Sequence, residues 1–390
     1  MPLGSRSSRS EPVFDSLEAF AREKLAARER AHLRRDLDVV RLSGREIEVG
    51  GRTYVSFAGN DYLGLSGHPR VIAEARAASA GATASRLVVG NHGHYPALEA
   101  ALARESRAPA ALVFGSGYLV NAGVIPSLIG PADLIVLDEL VHACMHAGAR
   151  LSGARILTFR HGDLEHAHEI LAAHRAAHPR CLLGTEGMFG MDGDLSDIAG
   201  LVEICGRFDA WLMVDDAHGT GVLEGGAVGA SGVHPSDVPL KTGTLSKALG
   251  SYGGFLACSE AVRAMMVNRA RTFVYSTGLP PSVVAAGRAA LEVLEQEPWR
   301  RTRVRALGRR LASGLDLPAP AAAIVPIILG SAEAALEARD VLRARGLWVA
   351  AIRPPTVPPG TARLRVSLSA EHQDRDIDAL IDALSPLRSA

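Results

Sequence analysis

Between Ala108 and Cys258 short apolar runs alternate with longer helical patterns, and no other feature restricts the fold as tightly. The strand candidates are Ala111 to Phe114, Leu134 to Leu137, Arg155 to Phe159, Cys181 to Thr185, Trp211 to Val214 and Gly254 to Ala257. Helical patterns at Asp163 to Ala177 and Ser196 to Phe208 fall between several of them. Strands separated by helices pair in parallel, and a parallel sheet needs cover on both faces. The expected fold is therefore α/β, a mostly parallel central sheet with helices on both faces. Ligands bind such sheets beyond the carboxyl ends of the strands.

Outside this region the texture changes. From Asp15 to about Asp38 the apolar positions Leu17, Phe20, Leu25, Leu33 and Leu37 predict an N-terminal amphipathic helix. After Pro280-Pro281 come long helical stretches, a strand at Ala323 to Leu329, a helix at Ala332 to Arg345, a strand at Arg363 to Leu368 and a closing helix from His372 to Leu387. They predict a smaller α+β C-terminal domain, with the run Arg353 to Gly360 as a rigid loop. A chain of 390 residues exceeds one core, which stops growing at roughly 250 to 300 residues. The expected division is a disordered tail over 1–14, an N-terminal helix and short strand segment over 15–55, a large ligand-binding domain over 56–280 and a small domain over 281–390.

Basic and acidic residues number 42 each, so no whole-molecule field favours nucleic acid or an anionic membrane. No apolar run predicts a membrane span, and the opening MPLGSRSSRS lacks the apolar segment of a secretory signal. Cys144, Cys181, Cys205 and Cys258 stand singly without CxxC spacing, which points to a reducing cytoplasm. Only three basic residues are lysines, Lys24, Lys241 and Lys247. Arginine cannot form an imine, so any such chemistry is confined to three positions.

The strand WLMV runs into Asp215, Asp216, Ala217, His218 and Gly219, placing carboxylates and an imidazole at a ligand-binding strand end, although the same residues also suit a plain turn. Lys247 follows in KTGTLSKALGSYGG, among small and hydroxyl residues; a loop lysine is ordinarily only a solvated charge. Upstream, the strand ALVF ends in Gly115, Ser116, Gly117 and Tyr118 and passes into a helix whose N-terminus can take a phosphate. That GSG element also resembles a degenerate nucleotide turn, but GxGxxG spacing is missing. A phosphate cradle, a carboxylate for a ring nitrogen and an imine-forming lysine are what pyridoxal phosphate requires. A helix from Leu140 carries His142, able to lie over a flat ring, with His146 one turn on. No third ligand is evident, so no metal is expected. His161, His166, His168, His174 and His178 read as a solvated helix face.

The stretches NDYLGLSGHP (Asn60 to Pro69), SRLVVGNH (Ser85 to His92), MDGD (Met191 to Asp194), WLMVDDAHGTGV (Trp211 to Val222), GTLSKALGSYGGF (Gly243 to Phe255), YSTGLPP (Tyr275 to Pro281) and AIRPPTVPPGTARLRVSLS (Ala351 to Ser369) occur in one order. In these the chain resembles the α-oxoamine synthases, pyridoxal-phosphate enzymes of fold type I, from about Asp15 to Leu387. The resemblance implies that Lys247 carries the cofactor as an imine, Asp215 pairs with the ring nitrogen, His218 bonds the ring hydroxyl and His142 stacks on the ring. It implies that Ser116, Gly117, Tyr118 and Thr244 hold the phosphate, together with the partner subunit's Thr277 in a homodimer whose site lies at the subunit interface. Arg365 is implied to clamp the amino-acid carboxylate, and Arg34, Asn60 and Thr356 to line the substrate site, Arg34 towards the far end of the acyl group. Two positions depart from the family pattern. Gly190 stands where a serine usually helps hold the ring oxygen, so Gly190→Ser is expected to tighten cofactor retention. Tyr95 stands where a histidine is usual, with His94 beside it.

The implied reaction joins an amino acid to an acyl thioester with loss of carbon dioxide. IRPPTVPPGTARLR favours the branch using L-alanine and a pimeloyl thioester on coenzyme A or an acyl carrier protein. Rivals are sibling activities such as glycine C-acetyltransferase, 5-aminolevulinate synthase or a serine-using acyltransferase, and a catalytically silent partner subunit.

Overall fold

The computed structural model describes residues 15–388, so the tail expected over 1–14 lies outside the described residues. Three short strands, β1 (Val40–Ser43), β2 (Glu46–Val49) and β3 (Arg52–Ser56), follow the first helix. Seven strands build the central sheet: β4 (Ala110–Phe114), β5 (Leu134–Asp138), β6 (Arg155–Phe159), β7 (Cys181–Glu186), β8 (Trp211–Asp215), β9 (Leu240–Thr244) and β10 (Gly254–Cys258). The C-terminal strands are β11 (Ile324–Gly330), β12 (Leu347–Trp348), β13 (Ala350–Ile352) and β14 (Ala362–Ser367).

The central sheet has the order β4-β10-β9-β8-β7-β5-β6. β10 pairs antiparallel with both β4 and β9, whereas β9, β8, β7, β5 and β6 pair in parallel. Every residue of β4, β5, β7, β9 and β10 is buried, as strands covered on both faces must be. This is the mostly parallel, helix-covered α/β sheet expected. β9 escapes an apolar pattern because its sequence is LKTGT. Each departure has a local reason: Lys241 Nζ donates to the Ser106 carbonyl at 2.5 Å, and a Cβ on Gly243 would come within 2.6 Å of the Phe255 ring.

The smaller C-terminal sheet has the order β11-β14-β13, antiparallel throughout. β12 leaves it to pair in parallel with β3, tying the end of the chain to its beginning. The Ser367 N–H donates to the Phe57 carbonyl at 2.8 Å, holding β14 against the segment that carries Asn60 and Tyr62.

The N-terminal helix is shorter than predicted. It spans Asp15–Arg30 and stops where His32 takes a positive φ of 56°. The carbonyls of His32 and Arg34 accept hydrogen bonds from Arg353 of the Pro-rich loop, so this backbone is committed to a tertiary contact instead of a further helical turn. Leu17, Phe20, Leu25 and Leu37 stay exposed. Among the described residues no helix is long and apolar enough to cross a membrane.

His372 is buried before the last helix, Asp374–Arg388, its ring stacked 4.3 Å from Phe57. Its Nδ1 accepts from the Ser369 N–H and its Nε2 donates to the Ser56 carbonyl, both at 3.0 Å, which fixes one neutral tautomer. Burial lowers its pKa from 6.5 to about 4. The unfolded chain therefore takes the proton first. This contribution to stability is complete above pH 6.5 and is lost as pH falls towards 4. His372→Asn is expected to be less stable at pH 7 but to lose less stability between pH 6.5 and 4.5, as measured by urea unfolding at each pH.

Candidate functional site

β8 delivers Asp215 to the carboxyl edge of the sheet, opposite Glu186 at the end of β7. Both side chains are buried. Asp215 Oδ2 accepts from Asn121 Nδ2 at 2.5 Å and Oδ1 from the Ala217 N–H at 3.0 Å. Thr242 Oγ1 donates to Asn121 Oδ1 at 2.9 Å, which sets the amide the right way round. Glu186 Oε1 accepts the His142 N–H at 2.6 Å. Burial and then the charge of Asp215 push the Glu186 carboxyl well above its usual range. Asp216 belongs elsewhere: its oxygens accept the Ala227 N–H, at 3.2 and 3.0 Å.

His142 is the N-cap of the helix Ala143–Ser152, not a member of it, and its Nδ1 accepts from the Cys144 N–H at 3.3 Å. Cys144 Sγ lies 2.9 Å from that nitrogen and 3.9 Å from Asp215 Oδ2, so His142 and Asp215 flank one thiol. Burial pushes the His142 pKa down against the pull of Asp215.

Lys247 sits in the turn after β9 with Nζ 2.9 Å from His218 Nε2, and His218 Nδ1 lies 2.7 Å from Tyr62 Oη. The Tyr62 hydroxyl donates to Asn60 Oδ1 at 3.0 Å and accepts from Arg365 Nη2 at 3.0 Å. His218 Nδ1 is therefore the donor to Tyr62, leaving Nε2 to accept from Lys247. Burial, reinforced by Lys247 and Arg365, pushes the His218 pKa far down, and burial also lowers that of Lys247. Arg365 is itself buried. It donates through Nε to the Gly190 carbonyl, through Nη1 to Asn60 Oδ1 at 3.1 Å and to Ser367 Oγ at 2.8 Å.

Ser116 caps the helix Gly117–Leu128, its Oγ accepting from the Leu119 N–H at 3.2 Å. A Cβ on Gly117 would lie 3.4 Å from the Thr244 side chain, and one on Gly254 would strike the Ser116 and Gly117 backbone within 2.6 Å. Thr244 Oγ1 lies 2.6 Å from Ser246 Oγ, so hydroxyls gather at this helix start. Tyr118, in the first turn, is half exposed. These parts fit pyridoxal phosphate: a capped helix N-terminus with hydroxyls for the phosphate, an anchored carboxylate for the ring nitrogen and a desolvated lysine.

Three expected residues stand apart from this cluster. Thr277 forms a bridge with Ser85, beside the exposed Leu87, Val88, Val89 and Tyr275. Arg34 is exposed and pairs with Glu29 at 3.2 Å and Asp36 at 3.4 Å. Thr356 Oγ1 accepts from Arg35, not Arg34, at 3.2 Å. Sequence reasoning missed Tyr62, Asn121 and Glu186. Tyr62 lies within NDYLGLSGHP, Asn121 one helical turn after Gly117, and Glu186 at a strand end. His161 also departs from expectation: it is no solvated helix face but lies between Asp138 and Asp194.

The chain matches the family model for aminotransferase class I and II over residues 52–384 and belongs to that family. It is 53% identical to 8-amino-7-oxononanoate synthase of Methylobacterium radiotolerans, across 96% of this chain and 99% of that protein. Serine palmitoyltransferase of Sphingomonas wittichii superposes with a TM-score of 0.87 at 30% identity, covering 97% of this chain and 98% of that one. A serine palmitoyltransferase structure with pyridoxal phosphate bound gives 0.89 at 26% identity, covering 97% and 99%. The chain is thus a pyridoxal-phosphate-dependent acyltransferase with the fold of type I enzymes, similar nearly end to end to 8-amino-7-oxononanoate synthase.

Gly190 reverses one expectation. A Cβ there would lie 2.3 Å from His218 Nε2, against a ring held at both nitrogens. A serine must push His218 aside before its hydroxyl can serve anything. Overpacking of this kind costs about 1–3 kcal/mol. Gly190→Ser is therefore expected to lower the stability of the apoprotein by about 1–3 kcal/mol, measured by urea unfolding, and not to tighten retention of pyridoxal phosphate.

Proposed function

We propose that the chain condenses L-alanine with a pimeloyl thioester, yielding 8-amino-7-oxononanoate, carbon dioxide and the free thiol carrier in biotin biosynthesis. The observation that carries this reading is the unbroken line of contacts from the Lys247 amine through His218 and Tyr62 to the Arg365 guanidinium. It holds a proton acceptor and a carboxylate-binding group on one frame. The relative at 53% identity supports the choice of substrates.

Pyridoxal phosphate, when bound, supplies the electron sink that lets the alanine Cα lose its proton and the condensed acid lose carbon dioxide. Lys247 would hold it, with Asp215 at the ring nitrogen, His142 over the ring, His218 at the ring oxygen, and Ser116, Gly117, Tyr118 and Thr244 around the phosphate. Once its amine is free, Lys247 takes the Cα proton, and its desolvation favours the neutral form that can do so. Arg365 already commits one hydrogen on Nε, two on Nη1 and one on Nη2. A substrate carboxylate can take the remaining hydrogen on Nη2 as a charge-assisted bond, beside the one that Tyr62 accepts. Asn60 and Thr356 line the substrate site, and Arg34 meets the distant end of the acyl group. The exposed aliphatic run at Leu87 to Val89 beside Thr277 supports a homodimer in which the partner subunit's Thr277 reaches the phosphate. Four buried free cysteines suit a cytoplasmic enzyme.

The likeness to serine palmitoyltransferase favours, as a second reading, a sibling that uses serine and a longer acyl chain. Purified enzyme assayed with alanine, serine and glycine crossed against pimeloyl, palmitoyl and acetyl thioesters separates the two; better turnover with any other pair than alanine and pimeloyl thioester overturns the first. Lys247→Ala is expected to abolish turnover, and borohydride reduction of the parent enzyme to label Lys247 and neither Lys24 nor Lys241. Arg365→Ala is expected to weaken alanine binding, read from the cofactor absorbance, by roughly tenfold or more, since a charge-assisted contact is lost.

A further inference from the structure

The turn between β7 and Ser196 carries Gly190, whose carbonyl receives Arg365 Nε. The middle of the turn is held by Arg363, which pairs with Asp192 and donates to the Met191 carbonyl at 3.4 Å, and Glu186 accepts the Gly190 N–H. Phe189 N–H donates to the Asp194 carbonyl at 3.0 Å and Gly193 N–H to the Phe189 carbonyl at 2.8 Å, closing residues 189–194 into a loop. Both ends of that loop touch one side chain. The His161 ring meets Phe189 edge-on at 4.4 Å, and its Nε2 lies 2.9 Å from Asp194 Oδ2. Its Nδ1 lies 3.1 Å from both oxygens of Asp138, which is buried at the end of β5, four residues before His142.

We propose that His161, bridging Asp138 and Asp194, is a positioning residue for amino-acid recognition: it fixes the 189–194 loop, and through the Gly190 carbonyl the guanidinium of Arg365. An anchored Asp138 makes this more than a surface ion pair. Asp138 also accepts the Leu140 N–H at 2.9 Å and the Gly162 N–H at 3.0 Å, so it cannot follow a loop that moves. The two carboxylates raise the His161 pKa to about 10, which keeps both ring nitrogens donating at neutral pH. If the clamp is released, the loop and its carbonyl shift while the helix start at Ser116 and the Asn121–Asp215 contact, which lie on other elements, stay in place.

The inference rests on Arg365 binding the amino-acid carboxylate, and its test separates the two ideas. Asp194→Asn and His161→Asn are prepared as cofactor-loaded enzymes. Asp194→Asn is isosteric at a part-exposed side chain and decides the matter if His161→Asn does not fold. Amide hydrogen exchange in residues 187–195 is expected to speed up about tenfold, and alanine binding, read from cofactor absorbance, to weaken about ten- to a hundredfold, with the KM for pimeloyl thioester within about twofold. Unchanged exchange and unchanged alanine binding in a folded variant overturn the clamp. So does an equal rise in the thioester KM, which marks general damage. If the parent enzyme shows no response to alanine, the proposed substrate fails, and the exchange measurement alone decides the clamp: faster exchange supports it and unchanged exchange overturns it.

Discussion

A guanidinium buried in a protein must have its charge and its hydrogens met, and the Arg365 side chain organises much of the site through that requirement. Its partners come from segments far apart in sequence: Asn60 and Tyr62 after β3, the Gly190 carbonyl after β7, and Ser367 two residues along its own strand. Leaving a buried polar group unsatisfied costs about 1–3 kcal/mol and more for a charged one, so these segments are held in one arrangement by the need to satisfy it. β14 brings Arg365 into place by pairing on both sides, with Pro326 of β11 and Ala350 of β13 opposite it. The small sheet thus positions the Arg365 guanidinium against residues delivered by the large one.

The large sheet makes a different kind of demand. Asp215 and Glu186 end neighbouring parallel strands in register, so two buried carboxyls face the same site. Burial, and then the neighbouring Asp215, drives the Glu186 carboxyl up. Asn121, oriented by Thr242, and the Ala217 N–H are committed to Asp215, whereas Glu186 receives backbone N–H groups from His142 and Gly190. The division leaves an anchored carboxylate at the centre of the site. The second carboxyl spans the space between His142 and the loop under Arg365.

Most of the architecture was legible because sheet strands covered on both faces are largely apolar, and β4, β5, β7 and β8 declare themselves that way. β9 was illegible for the opposite reason: Lys241, Thr242 and Gly243 are there for a backbone carbonyl, the Asn121 amide and the Phe255 ring, partners distant in sequence. Lys247, Asp215 and His218 could be picked out because each carries rare or chemically pointed functionality at a strand end or turn. Tyr62, Glu186 and His161 could not, since a tyrosine in a loop, a glutamate after a strand and one histidine among five look ordinary until the chain brings their partners together. The first helix was read too long because Leu33 and Leu37 continue an apolar spacing that Arg353, from the other end of the chain, interrupts.

The two departures from the family pattern have unequal consequences. Tyr95 is buried with its hydroxyl accepting the Leu279 N–H at 2.7 Å, its ring stacked 4.4 Å from His92 and the Arg86 guanidinium 3.7 Å from its centroid. Arg86 is held in turn by Glu99 at 2.6 Å, so the phenol gains a hydrogen bond, a stacking partner and a cation, and it ties the segment that carries Thr277 to the helix His94–Glu105. His94 faces His92 edge-on at 5.7 Å and has no part in that hydrogen bond. Tyr95 is thus a self-consistent replacement within its own packing. Gly190 is different, because it places bare backbone against the His218 ring and its carbonyl on Arg365. A side chain there competes with an imidazole already engaged by Tyr62 and Lys247. The glycine therefore lets the Lys247–His218–Tyr62 line and the Arg365 guanidinium share one turn of chain, which gives this loop more influence over the site than its length suggests.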